Sequence, residues 1–269
     1  MKAGGSMKAS EDDKAGNRYR IEALAKGLDV LRLFDETVTG LKLREISDLT
    51  GIPMPTAFRV VATLEEGGFV ERLEDGTVRP GVAVLTLGSA ALRGSSLVQV
   101  AERPLRRLAE ATGETVNLGV LLGDQVLYLV RLRNSDLVTA NVQVGSTLPA
   151  AYTSMGKLLL AYLPEEERHE VLRDHDFGAA AGPNAVGTLE ALDADCLAIR
   201  AEGYAVQDQE VAIGLRSVSV PVFGRGDTPV AAINIAVAAN RHSADELRGP
   251  LLESLRATAQ EISVRLSAG

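Results

Sequence analysis

The chain has 269 residues, 46% of them hydrophobic and 24% charged, which suffices for two ordinary domains and excludes a wholly disordered protein. Its 28 basic and 36 acidic side chains leave a formal charge of −8, which argues against a protein that coats nucleic acid nonspecifically or lies on anionic membrane but leaves a local DNA-binding face open. Cys196 is the only cysteine, so an intrachain disulfide and a multi-cysteine zinc site are excluded; with no long apolar run and no signal-like start, the expected location is the reducing cytoplasm, off the membrane.

Residues 1–18 are small and polar without periodicity and are expected to form a disordered tail. From there Ile21, Leu24, Leu28, Leu31 and Phe34 recur at helical spacing and predict a helix ending near Glu36. Leu43, Ile46 and Leu49 predict a second helix stopped by Gly51. Pro53 and Pro55 suit a turn and the first residues of a third helix, whose stripe of Phe58, Val61 and Leu64 runs to Gly67-Gly68. The segment FVERLEDGTVRP then reads as a hairpin, with strands at 70–73 and 77–79 and a turn at Glu74-Asp75-Gly76. Three short helices followed by a hairpin make a winged helix-turn-helix over residues 19–80. Residues 81–95, with Val82, Leu85 and Leu92, are expected to form a linker helix.

The remainder, residues 96–269, has a different pattern. A helix at 98–111 is followed by the strand-like TVNLGVLLGD and QVLYLVRLR, separated by Gly123-Asp124. A further strand is expected at 137–144, helices at 154–163 and 189–202, strands in SVSVPVF and PVAAINIAVA, and a last helix over 244–266. The fold class is therefore α+β: a winged helix-turn-helix, a linker helix, and a C-terminal α/β domain with a mainly antiparallel sheet. Residues 1–94 carry 13 basic and 14 acidic side chains and residues 95–269 carry 15 and 22, so the acidity lies mostly away from the helix-turn-helix.

A helix-turn-helix lays its second helix in the major groove, where side chains meet base edges. On the third helix Met54, Pro55, Thr56, Arg59 and Thr63 are the candidates for that face, with Arg59 able to donate two hydrogen bonds to a guanine edge. Arg72 and Arg79 on the hairpin could reach phosphate or the minor groove. The same helices also suit a protein-interaction module, and spacing alone does not choose between the two. The apolar stripe of Leu24, Leu28 and Leu31, with that of the linker helix, exceeds what one small domain hides and predicts self-association.

Nothing in the second domain assembles a catalytic constellation. His169 and His175 stand six apart and match no strong metal spacing, so they are expected to be solvated loop residues and no metal or cofactor is expected. Cys196 in mid-helix reads as a buried structural thiol, and neither GxSxG nor a phosphate-cradling glycine loop occurs. The chain is not expected to be an enzyme.

The stretches IEALAKGLDVLRLF, LREISDLTGIPMPTAFRVVATLEEGGFV and EDGTVRPG, followed by RRLAEATGETVNLGVLLGDQVLYLVR, VGSTLPAAYTSMGKLLLAYLP and EGYAVQDQEVAIGLRSVSVPV, resemble in order and spacing the IclR-type transcriptional regulators over residues 20–267. The resemblance implies a GAF-like effector domain, a dimer or dimer of dimers, a palindromic double-stranded DNA operator and a small organic acid effector. It implies an effector pocket lined by Leu148, Ser154, Met155, Gly156, Gln207, Asp208, Leu215, Ser217, Asn234 and Ala236, with backbone N–H groups of Met155 and Gly156 offered to a carboxylate. Where the family often has an acidic residue this chain has Gln207, which removes a repulsion against an anionic ligand; Ser217 replaces a frequent cysteine and Asn234 a frequent serine. The segments QDQEVAIGLRSVSVPV and YRIEALAKGLDVLRLF are most similar to the branch that controls protocatechuate, 4-hydroxybenzoate and β-ketoadipate pathway genes, which implies an aromatic-acid effector.

Overall fold

The computed structural model describes residues 19–35, 37–133, 142–178 and 182–268. The chain divides into two compact units between Ala90 and Ala91. The expected tail at 1–18 lies outside the described residues.

In the first unit, helix α1 (Glu22–Leu31) is shorter than its apolar spacing predicts. Leu33 and Phe34 fold into a turn, and the Asp35 carboxylate accepts from the N–H groups of Thr37 and Val38, a local bonding pattern that competes with helix. The expected end at Glu36 falls on an undescribed residue. Strand β1 (Leu41–Lys42) leads into α2 (Leu43–Thr50), where the Lys42 N–H donates to the Glu45 carboxylate at the N-terminus and Gly51 ends the helix at a φ of 67°. Helix α3 (Met54–Glu66) carries Pro55 in its first turn, where the missing N–H costs nothing. Two expectations of burial are corrected: Phe58 is 52% and Leu49 62% exposed. The buried stripe of α3 is instead Ala57 and Val61 with Leu64 half-buried, packed against Val30, Ile46, Ile52, Val70 and Val78. Strands β2 (Val70–Arg72) and β3 (Thr77–Pro80) form the hairpin, and β1 pairs with the free edge of β3 to make a three-stranded sheet in the order β1-β3-β2. Two residues are too few to show alternation, which is why β1 was not expected. Helix α4 (Ala83–Gly94) follows and buries none of its residues.

The second unit is built on a six-stranded antiparallel sheet in the order β6-β5-β4-β9-β8-β7. Its strands are β4 (Thr115–Leu122), β5 (Gln125–Leu132), β6 (Thr147–Pro149), β7 (Ala205–Asp208), β8 (Leu215–Phe223) and β9 (Pro229–Ala238). Helices α5 (Ser96–Thr112) and α9 (Pro250–Ala268) pack on one face, where Leu105, Leu118, Ile233, Ile235, Leu255 and Ile262 are fully buried. The opposite face receives α6 (Ser154–Ala161), backed by α8 (Leu189–Glu202), while the short α7 (Glu165–Val171) follows Pro164 with three glutamates in its first turn. All eight residues of α6 are buried, and the Thr153 hydroxyl caps it by accepting from the Gly156 N–H. The strand expected at 137–144 falls on undescribed residues up to 141, and 142–144 are not in a strand. The last helix starts at Pro250, later than expected, after a single 3-10 turn at Glu246–Arg248.

One irregularity shapes the face that receives α6. The pairing of β4 with β5 shifts between Leu118 and Gly119, so Leu118 pairs with Val130 but Gly119 pairs with Tyr128. Leu129 is the extra residue, and the bulge turns Tyr128 and Arg131 to the same side of the sheet.

Candidate functional sites

That side of the sheet encloses a cavity of about 30 Å³ lined by Asn117, Tyr128, Arg131, Val142, Leu148, Thr153, Val211, Leu215, Ser217, Asn234 and Ala236. A row of polar residues crosses four neighbouring strands here, since Arg131 pairs with Asn117, Asn117 with Asn234 and Asn234 with Ser219. Arg131 Nη1 donates to Asn117 Oδ1 at 3.0 Å, and Asn117 Nδ2 donates to Asn234 Oδ1 at 2.7 Å. Asn234 Nδ2 donates to Ser154 Oγ at 3.4 Å, Ser154 and Ser217 share a hydroxyl bond of 2.7 Å, and Ser217 Oγ donates to Gln207 Oε1 at 3.4 Å. A guanidinium can only donate, so Arg131 fixes the sense of the whole chain: each amide turns its oxygen toward the cation, and Ser154 donates to Ser217.

Two buried donors remain without partners, Arg131 Nε at one end of this network and Gln207 Nε2 at the other. Among the described residues no carboxylate pairs with Arg131, and burial pushes its pKa down from the usual value without a compensating anion. An unsatisfied buried donor on a cation is costly, and an incoming anion removes that cost.

The structure thus brings Leu148, Leu215, Ser217, Asn234 and Ala236 to one cavity, with Ser154 bonded to its wall. Met155, Gly156, Gln207 and Asp208 lie outside the lining. Met155 packs under Gly119, and Gly156 sits so close to Ala150 that a Cβ would fall 2.3 Å from the Ala150 Cα. The Gly156 N–H that the resemblance offers to a carboxylate is occupied by Thr153. Gln207 is buried behind Ser217, and Asp208 is engaged by Arg216 at 2.6 Å. Sequence reasoning missed Arg131, Asn117 and Tyr128; simple alternation places Tyr128 and Arg131 on opposite faces, and only the bulge unites them.

Other groups fill structural places. Cys196 is buried, its thiol pushed up to about 11 by desolvation, with Sγ 3.9 Å from the Lys157 carbonyl. The histidines correct the expectation of solvated loops: His169 on α7 has its Nε2 2.7 Å from Asp193 on α8, and the His175 ring is buried between Tyr152 and Phe177 with Nδ1 3.5 Å from Asp124. Among the described residues no group of three or more His, Cys, Asp or Glu could hold a metal ion, and no helix is long and apolar enough to cross a membrane.

In the first unit Met54, Pro55, Arg59 and Thr63 are exposed on α3 and Thr56 is half-buried. Thr56, Arg59 and Thr63 also border a groove against α1, beside Leu24, Leu28 and Leu87. Among the described residues Arg59 has no ion pair. The two wing arginines are engaged within the domain: Arg72 lies 3.5 Å from Glu65 and 5.7 Å over the Phe58 ring, and Arg79 pairs with Glu71. Lys42 Nζ reaches the wing turn at Asp75, 2.9 Å from the carboxylate and 2.7 Å from the backbone oxygen. The Thr77 backbone N–H, Lys42 and the Thr77 hydroxyl together hold the Asp75 carboxyl down at about 2.

A helix-turn-helix with an exposed second helix, followed by an α/β domain that encloses a small cavity headed by a cation with no ion pair among the described residues, has the architecture of a DNA-binding regulator with an internal site of its own. Residues 23–74 match the IclR helix-turn-helix domain, and residues 89–264 match the bacterial transcriptional regulator IclR C-terminal domain. The chain belongs to the IclR family of transcriptional regulators. It is 33% identical over 246 residues to the Pca regulon regulatory protein of Pseudomonas putida, covering 91% of this chain and 84% of that protein. An IclR family transcriptional regulator from Brucella abortus superimposes with a TM-score of 0.81 at 27% identity, covering 94% and 95% of the two chains. An IclR homolog from Microbacterium hydrocarbonoxydans, solved in complex with 4-hydroxybenzoate, gives 0.72 at 30% identity, covering 92% and 100%.

Proposed function

We propose that this regulator binds a palindromic operator as a dimer or dimer of dimers and that a small organic acid of aromatic catabolism controls the binding. The observation that carries the reading is Arg131, a guanidinium with a buried, unpartnered Nε in a cavity whose other polar lining groups, among the described residues, are neutral. Such a site selects an anion, and a carboxylate matches the planar fork. Leu148, Val211 and Leu215 supply apolar walls and Tyr128 an aromatic one, which suits a ring behind the carboxylate. The likeness to a Pca regulon protein and to a 4-hydroxybenzoate complex supports the aromatic class. On the DNA side Met54, Pro55, Thr56, Arg59 and Thr63 are assigned to the major groove, with Arg72 and Arg79 at the backbone. Self-association uses the exposed Leu24 and Leu28 of α1 with Leu85 and Leu87 of α4.

The small volume favours a second reading, in which the effector is a shorter keto or sugar acid. One experiment separates the two. The purified protein selects its operator from genomic fragments, and the gel shift of that fragment is titrated with benzoates, protocatechuate, keto acids and sugar acids. A shift changed by aromatic acids alone supports the first reading, a shift changed by keto or sugar acids alone supports the second, and a shift that no acid changes removes the organic-acid effector.

A further inference from the structure

The cavity is far smaller than the roughly 300 Å³ or more of a usual small-molecule site, so one wall must move before a ring enters. Strands β4, β8 and β9 are bonded on both sides, and α6 is buried throughout with Gly156 wedged on Ala150. Residues 209–214 differ. They form an irregular loop that carries Val211 of the lining and runs into Leu215, with Ile213 76% exposed at its tip. The loop starts at Gln209, which holds a left-handed φ of 56° although it is not glycine.

A buried charge fastens this loop to α6. Glu210 Oε1 lies 2.6 Å from Lys157 Nζ, and both side chains are almost completely buried. Asp195, much more exposed, lies 3.3 Å from the same ammonium. The second Glu210 oxygen, Oε2, is buried without a partner, so the fastening is incompletely satisfied. Lys157 sits one turn from Thr153 and Ser154, which bound the cavity, so the ion pair ties its polar floor to its apolar wall. Burial raises the Glu210 pKa despite the ammonium, consistent with a desolvated carboxylate.

We propose that loop 209–214 is the movable wall of the cavity and that Glu210, held by Lys157, is the positioning residue that fastens it. The role in ligand entry rests on the effector reading above; the fastening itself does not.

Hydrogen exchange of the full chain without effector tests the fastening. In Glu210→Gln the amides of residues 209–215 should exchange at least about tenfold faster while β4, β8 and β9 keep their wild-type rates, and in Asp195→Asn the loop should stay within about twofold of wild type. Acceleration spread over sheet and helices, or none in the loop, overturns the proposal, because a pair that merely adds stability protects every element alike. If Glu210→Gln does not fold, the double variant Lys157→Met/Glu210→Gln carries the same test, since neither charge is then buried alone. Stopped-flow association of 4-hydroxybenzoate tests entry: about fivefold faster binding to the variant is expected, and an unchanged rate beside a loosened loop overturns the gating role. Absence of binding by the wild-type protein would instead remove this effector, leaving the exchange experiment to decide the fastening.

Discussion

Tyr128 and Arg131 stand three residues apart on β5 and yet line the same cavity, because the bulge at Leu129 restores Arg131 to the side that Tyr128 faces. In a regular strand two residues an odd number apart point to opposite faces. The displacement sets a cation at the head of a polar row that crosses four strands and obliges every amide in it to donate away from Arg131.

If Arg131 anchors a carboxylate, Arg131→Met should weaken the acid by about tenfold to a hundredfold, the range for a hydrogen bond to a charged group. Arg131→Lys keeps the charge but loses the fork and should recover only part of that affinity. Calorimetric titration with the active acid measures both; equal affinities for wild type and Arg131→Met would remove Arg131 from the site.

Most of the architecture was legible because it rests on strong local patterns. The strand PVAAINIAVA and the helix at 189–202 coincide with β9 and α8, and Pro53, Pro55 and the two glycines at 67 and 68 bound α3. The misjudged details are those that depend on partners distant in sequence. Phe58 fits the apolar spacing of α3 yet faces outward, where the guanidinium of Arg72 on β2 lies 5.7 Å from its ring centroid. Leu148, Leu215, Ser217, Asn234 and Ala236 were legible as cavity residues through resemblance, whereas Arg131 depends on a bulge, a pairing irregularity that alternation does not encode. Glu210 stands in an irregular loop with no local pattern to mark it, and its distance to Lys157 shows it to be internal.

The two classes of arginine in the first unit should behave differently on DNA. Arg59 is exposed on α3 without an ion pair among the described residues, so Arg59→Ala should cost about 1–3 kcal/mol on the selected operator and much less on random duplex. Arg72 is held by Glu65 and Phe58, so Arg72→Ala should weaken both duplexes by a similar, smaller factor. Fluorescence anisotropy with the two duplexes measures this, and an equal loss on both for Arg59→Ala would reduce Arg59 to a phosphate contact.

The wing turn predicts an acid-sensitive element. The Asp75 carboxyl falls from its ordinary 3.8 to about 2 on folding, through bonds from Thr77 and Lys42. A depressed folded pKa means that the ionised group stabilises the turn above about pH 4 and that this contribution is lost as pH falls through about 2. Side-chain carbon shifts should titrate near 2 in the native protein, and Asp75→Asn should abolish the acid-dependent loss of protection in residues 74–77. A midpoint near 4 would show that the bonds to Thr77 and Lys42 do not persist in solution.

Cys196 offers a direct probe of the second unit. As the only cysteine, buried and with its thiol pushed up to about 11, it should react with iodoacetamide at pH 8 at least about a hundredfold more slowly in the native protein than in urea. Mass spectrometry of timed samples reads the rate, and rapid native labelling would show that α8 opens far more readily than its packing implies.

Gly156 tests whether the position of α6 sets the cavity. An added methyl would lie 2.3 Å from both the Cα and the carbonyl oxygen of Ala150, so something in the backbone must shift. Overpacking of this kind costs about 1–3 kcal/mol, and here it pushes against the helix start that carries Thr153 and Ser154. Gly156→Ala should therefore lower the urea midpoint and weaken the acid together. Gly214→Ala serves as the control: it has open space but a φ of 80°, so it should cost about 1 kcal/mol from backbone strain without crowding α6. A Gly156→Ala protein with wild-type stability and wild-type affinity would mean that α6 has room to retreat from Ala150, and that the bond between Ser154 and Ser217 does not depend on this contact.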